Sequence, residues 1–127
     1  MRVFLDSNVP MYVAGRAHAC RAPSLRFIER VRAGEVALVT STEVLQEILY
    51  RYSALNRHVL ARDVYELFVQ LCPVLFPVAL ADTDLAQKRV CDRGSPVGVR
   101  DAIHTAGMVH NGVSLIATFD QGFDRID

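Results

Sequence analysis

The chain has 127 residues, 51% of them hydrophobic, and its 14 basic side chains balance its 14 acidic ones. That is the size of one domain with a well-filled core. The composition excludes a disordered chain, and the balanced charge excludes a nucleic-acid binder that relies on a strongly basic net charge. No apolar run approaches the roughly 20 residues of a membrane span. The N-terminus carries Arg2 and an apolar run only of strand length, which is not the layout of a signal peptide. The reading is therefore a cytoplasmic protein with no membrane partner.

Cys20, Cys72 and Cys91 are scattered, odd in number and form no Cys-x-x-Cys pair. This argues against zinc and against a disulfide framework, and each reads as a small buried hydrophobe. Nearly every base is arginine, with Lys88 the sole lysine. The planar guanidinium grips two phosphate oxygens at once, although codon bias accounts for the same excess.

In chain order, Val3-Phe4-Leu5 runs straight into Asp6-Ser7-Asn8. A short apolar run ended by polar residues predicts a buried strand, with Asp6 at its carboxyl end. Residues 9–14 form a short helix and residues 15–23 a loop broken by Pro23. Ser24 is the expected N-cap of a helix that stops near Gly34. Residues 36–39 are a second apolar strand. A helix starts near Thr42, with Leu45, Ile48, Leu49 and Tyr52 as its apolar stripe. Another helix covers residues 57–71, with Val64, Leu67, Phe68 and Leu71 inward, and Pro73 stops it. Residues 74–80 contain Pro77 and give at best a short strand. Asp82-Thr83-Asp84 opens the next helix, which ends before Gly94. Residues 93–98 form a loop, residues 99–111 a helix closed by Asn111-Gly112, and residues 113–118 a third clear strand.

Short apolar strands alternating with helices predict an α/β fold: βα units around a parallel sheet, with helices on both faces. Right-handed crossovers then bring the carboxyl ends of the strands to one edge, where open α/β sheets bind ligands. Four acids fall near that edge. Asp6 ends the first strand and Asp120 follows the third. Asp101 lies in the first turn of its helix, and Glu47 one turn into the helix after the second strand. Each also has an ordinary role. Asp6-Ser7-Asn8 suits a helix cap, Asp101 suits the helix macrodipole, Asp120 suits a turn, and Glu47 has Arg51 four residues on. Glu43 competes with Glu47, but at about 100° per residue it points away from the apolar stripe while Glu47 borders it.

Carboxylates gathered this way repel and raise one another's pKa. A divalent cation removes that penalty, and oxygen-only ligands suit Mg²⁺ or Mn²⁺ rather than zinc. Such a site serves in-line displacement at phosphorus. Asn8 is placed to orient Asp6 or a metal-bound water, Thr118 to hydrogen-bond Asp6 or a phosphate, and His104 either orients Asp101 or is a partly buried helix histidine. Asp124 is a further candidate ligand or a helix cap, and Arg100 either meets phosphate or stays solvated.

Four segments carry a family resemblance: Val3-Phe4-Leu5-Asp6-Ser7-Asn8; Ser41-Thr42-Glu43-Val44-Leu45-Gln46-Glu47-Ile48; Arg100-Asp101-Ala102-Ile103-His104-Thr105-Ala106 through Gly112; and Leu115-Ile116-Ala117-Thr118-Phe119-Asp120-Gln121-Gly122-Phe123. In this order and spacing, over nearly the full chain, they resemble a PIN domain and, in size and layout, a VapC-type toxin ribonuclease. The resemblance implies a single three-layer α/β/α domain over residues 1–127 with a central, mostly parallel sheet. It implies a Mg²⁺- or Mn²⁺-dependent endoribonuclease acting on single-stranded or structured RNA. By position, Asp6, Glu47, Asp101 and Asp120 match the acidic quartet that holds metal and performs catalysis, and Asn8 and Thr118 match its supporting polar residues. It further implies a homodimer inhibited by a cognate antitoxin, as in a VapBC-type pair. Many relatives begin a last edge strand about where residue 127 falls, so the sheet is expected to lack that strand or to finish by dimerisation.

Two other readings fit parts of the sequence. A haloacid dehalogenase-type phosphatase also places Asp after its first strand, but here Asn8 stands where a second Asp is needed, and Lys88 lies mid-helix. A non-catalytic PIN-like module that binds RNA or protein would keep the fold and lose cleavage.

Overall fold

The computed structural model describes residues 1–9, 11, 19–92 and 97–118. The apolar runs form four strands: β1 (Arg2–Leu5), β2 (Ala37–Ser41), β3 (Val74–Phe76) and β4 (Leu115–Ala117). Between them lie α1 (Arg21–Arg32), α2 (Thr42–Ala54), α3 (His58–Leu71), α4 (Leu80–Val90) and α5 (Val99–His110). The short helix expected over residues 9–14 lies largely outside the described residues.

The strands pair in the order β3-β2-β1-β4, and every pairing is parallel. Parallel neighbours require crossovers, which the intervening helices supply. Successive strand side chains point to opposite faces, yet Val3, Phe4 and Leu5 are all buried. Both faces of the sheet are therefore covered, giving the expected α/β/α layering.

The strand order also explains where a site belongs. From β1 the chain moves outward to β2 and β3, then returns to place β4 on the other flank of β1. The carboxyl ends of β1 and β4 thus border the topological switch point, where open parallel sheets leave a crevice. One hydrogen bond extends the pairing past the strand, from the Asp6 N–H to the Ala117 carbonyl at 3.1 Å.

On the Phe4 face, the Phe4 ring lies 5.9 Å from Phe76 and 5.4 Å from the His104 ring. Helix α5 therefore rests directly on this face. Gly107 permits the approach, since a Cβ there would stand 3.0 Å from Phe76 Cε2.

Several local expectations are corrected. Ser24 is not an N-cap: α1 starts at Arg21, three residues earlier, with Cys20 as its N-cap. Pro23 sits in the first turn, where backbone N–H groups lack an intrahelical acceptor and proline is tolerated. The Ser24 hydroxyl bonds back to the Cys20 carbonyl at 2.7 Å. On α2 the buried face is Val44, Leu45, Glu47, Ile48 and Tyr52, while Leu49 is 44% exposed. Helix α4 opens at Leu80, and Asp82 is inside its first turn, accepting the Ala79 N–H at 2.8 Å. Of the cysteines only Cys72 is buried, and Cys91 is exposed.

Gly107→Leu should lower stability by about 1–3 kcal/mol through overpacking against Phe76. Denaturant unfolding of G107L, F76A and the double variant checks this. The double variant should lose less than the sum of the single losses, because the contact is shared.

Candidate active site

Asp6 follows β1 and is only 3% exposed. Its carboxylate is held by two donors: the Ser7 N–H to Oδ1 at 2.7 Å and the Thr118 hydroxyl to Oδ2 at 2.7 Å. The Asn8 side-chain amide donates to Thr118 Oγ1 at 3.1 Å. Asn8 therefore acts on Asp6 through Thr118. The Thr118 proton is committed to Asp6 while its lone pair takes the amide, so the chain has one direction.

Glu47 comes to the same rim because α2 begins directly where β2 ends, with Ser41 as its N-cap. Glu47 is 5% exposed, and it lies within the buried face of α2 rather than at its border. Glu43, by contrast, is half-buried. Glu47 Oε1 meets Arg100 Nη1 at 2.8 Å and Arg51 Nε at 3.4 Å. Glu47 Oε2 is buried and has no hydrogen-bond partner among the described residues. Burial pushes the Glu47 pKa up. Arg100 opposes this, the Asp6 charge adds to it, and Arg51 and the Ser7 hydroxyl oppose it more weakly.

His104 sits one turn after Asp101 on α5, 1% exposed. Its Nε2 lies 3.9 Å from Asp6 Oδ1, and its ring tilts against Phe4. Burial lowers its pKa to about 4, against the pull of Asp6 and with some help from Arg100. The ring is therefore a neutral imidazole at neutral pH. Ligand atoms of Asp6, Glu47 and His104 all lie within 4.8 Å of one another.

Among the described residues, Asp101 is not part of that close group. It is half-buried in the first turn of α5, and its backbone carbonyl accepts the Thr105 hydroxyl at 2.7 Å. Asp120 and Asp124 fall outside the described residues. Sequence reasoning gave His104 only a supporting role beside Asp101. The available signal was its company on α5: Ala102, Ala106, Gly107 and Met108 are the buried face, and His104 lies among them.

The residues present fit a divalent cation. Two buried carboxylates share one rim, Glu47 has an oxygen with no hydrogen-bond partner among the described residues, and the Asp6 charge adds to the cost of ionising Glu47. Asp6 and Glu47 offer hard oxygen donors, and His104 adds a neutral nitrogen that an oxygen-only set does not anticipate.

A family model described as PIN domain matches residues 3–127. A VapC ribonuclease of Mycobacterium bovis and ribonuclease VapC13 of Mycobacterium tuberculosis are each 33% identical over 122 residues, spanning 96% of this chain and 92% of theirs. Ribonuclease VapC23 of Mycobacterium tuberculosis is 36% identical over 119 residues, with 93% and 92% covered. Among solved structures, the Mycobacterium tuberculosis toxin VapC20, a Sarcin-Ricin loop cleaving toxin, has a TM-score of 0.75 at 18% identity. That match covers 96% of this chain and 92% of the other. Rickettsia felis VapBC2, solved on a DNA fragment of its promoter, has a TM-score of 0.71 at 16% identity, covering 99% and 93%. These two structures carry the likeness in fold.

The His104 environment sets a pH dependence. Its folded pKa of about 4 lies below the ordinary 6.5, so the unfolded chain takes up the proton first as pH falls. Stability should therefore drop between about pH 6.5 and about pH 4. Glu47, with its pKa raised, contributes the opposite sign, losing stability as pH rises above the usual carboxylate range. Denaturant unfolding at intervals across this range should show the acid-side loss shrinking in His104→Gln.

Proposed function

The chain belongs to the PIN-domain family, among its VapC-type ribonucleases, and from that premise we propose that it is a divalent-metal-dependent endoribonuclease, the toxin of a VapBC-type toxin–antitoxin pair. The observation that carries the metal-dependent reading is the meeting of Asp6 and Glu47, both buried, at the switch-point rim beside neutral His104. Asp6, Glu47, Asp101 and Asp120 are the proposed acidic quartet. Asn8, Thr118 and His104 support them, and Asp124 is a further candidate.

Mg²⁺ or Mn²⁺ would be held principally by Asp6 and Glu47, with Asp101 proposed as a further acid of the quartet. When bound, such a cation supplies Lewis-acid charge to a phosphodiester oxygen and eases deprotonation of water. The chain's own residues prepare that chemistry. Ser7 and Thr118 hold the Asp6 carboxylate in one orientation, and Asn8 fixes Thr118. Burial of the rim excludes bulk water and strengthens every charge there. His104, being neutral, adds no positive charge against the cation.

The relatives' names support RNA as the substrate, and the VapBC neighbour supports an antitoxin partner. We further propose that residues 1–127 act as one domain, that the protein is a cytoplasmic homodimer, and that the antitoxin covers the acidic rim. No described helix is long and apolar enough to cross a membrane.

Cleavage of single-stranded RNA by the purified protein tests the proposal. Mg²⁺ or Mn²⁺ should support cleavage and EDTA should stop it. Asp6→Asn should reduce the rate by about a hundredfold or more while circular dichroism stays native. Full activity in D6N, or equal activity in EDTA, would contradict the assignment, and a folded, metal-loaded protein that cleaves no RNA would point to the non-catalytic module.

A further inference from the structure

Arg100 occupies an unusual position. It lies in the first turn of α5, where the helix macrodipole disfavours a cation. Helix stability therefore does not explain it. Its guanidinium instead crosses from α5 to α2, and Nη1 reaches Glu47 Oε1 at 2.8 Å, while the Arg100 side chain remains 40% exposed. Arg51, 3.4 Å from the same oxygen, sits four residues along the same helix as Glu47. Pairs of that kind contribute little. With both guanidiniums in place, the charges of Asp6 and Glu47 are matched by two positive charges. Of the two Glu47 oxygens, Oε1 is already engaged by guanidinium, while Oε2 has no hydrogen-bond partner among the described residues.

We infer that Arg100 is the resident counter-ion of the acidic rim: it holds Glu47 until a divalent cation takes that carboxylate, and once released it receives a phosphate of the bound RNA. Metal affinity is then set by competition inside the chain, because the cation and the guanidinium on Oε1 are two positive charges drawn to one carboxylate. The Arg100 side chain is 40% exposed, so release from Glu47 would leave its head group facing solvent at the rim. A freed guanidinium at the rim presents the planar fork that matches phosphate oxygens. The metal half of this inference stands on the geometry alone, and the phosphate half rests on the ribonuclease reading.

The test uses the full chain. Mn²⁺ binding to the RNA-free protein is measured by calorimetry at about pH 8, the same for parent and variants. Steady-state cleavage of a single-stranded RNA at saturating Mn²⁺ follows. Arg100→Gln should tighten Mn²⁺ binding by roughly tenfold, the order expected for removing one partly screened charge beside a dication. In the same variant the KM for RNA should rise. Arg100→Lys, which keeps the charge, should bind Mn²⁺ close to the parent. Opposite signs for metal and RNA from one substitution are the signature, since a purely structural residue would weaken both. Unchanged or weaker Mn²⁺ binding in folded R100Q overturns the inference, and if R100Q fails to fold, Arg100→Met carries the same comparison. Tightened Mn²⁺ binding with a parent that cleaves no RNA supports the metal half and overturns the phosphate half together with the ribonuclease reading.

Discussion

Two carboxylates buried at one sheet rim are the constraint on which the rest of this structure turns. Asp6 and Glu47 are each nearly inaccessible, with ligand oxygens within 4.8 Å of one another. Buried like charges are costly unless paired and hydrogen-bonded. The chain answers with short hydrogen bonds to Asp6 and with guanidiniums on Glu47. Among the described residues, one Glu47 oxygen is still left without a hydrogen bond. A hard dication, as proposed for this rim, would relieve such a pair.

The parallel sheet makes that convergence possible. With β1 between β2 and β4, residues after the first and last described strands become neighbours although the whole chain separates them. Thr118 reaches Asp6 only because β4 pairs with β1 in register. The α2 helix starts without a loop after β2, so its second turn stands over the same rim. Gly107 then lets α5 settle onto Phe76 and Phe4, which carries His104 down beside Asp6.

Much of this was legible from local pattern. Apolar runs bounded by polar residues marked each strand, and their alternation with helices gave the layered parallel fold. The choice of Glu47 over Glu43 followed from helical angle, with a stripe of which Leu45, Ile48 and Tyr52 are buried and Leu49 is not, Val44 being buried instead. Periodicity cannot tell which of two adjacent apolar columns faces the sheet, since packing decides it. The start of α1 was missed because Pro23 reads as a breaker, and only the helix geometry shows that it falls in the permissive first turn. The Arg100–Glu47 pair and the Asp6–His104 approach link separate elements, and no sequence spacing encodes them. The overall neutrality of the chain likewise hides a rim where acids and arginines are concentrated together.

The most direct test of the shared rim is paramagnetic resonance of Mn²⁺ titrated into the purified chain without RNA, which reports bound against free ion independently of any activity. One ion bound per rim in the parent, with Asp6→Asn and Glu47→Gln each returning the free-ion signal, is the expected result. Undiminished Mn²⁺ binding in both folded variants would contradict a metal site built on these two carboxylates.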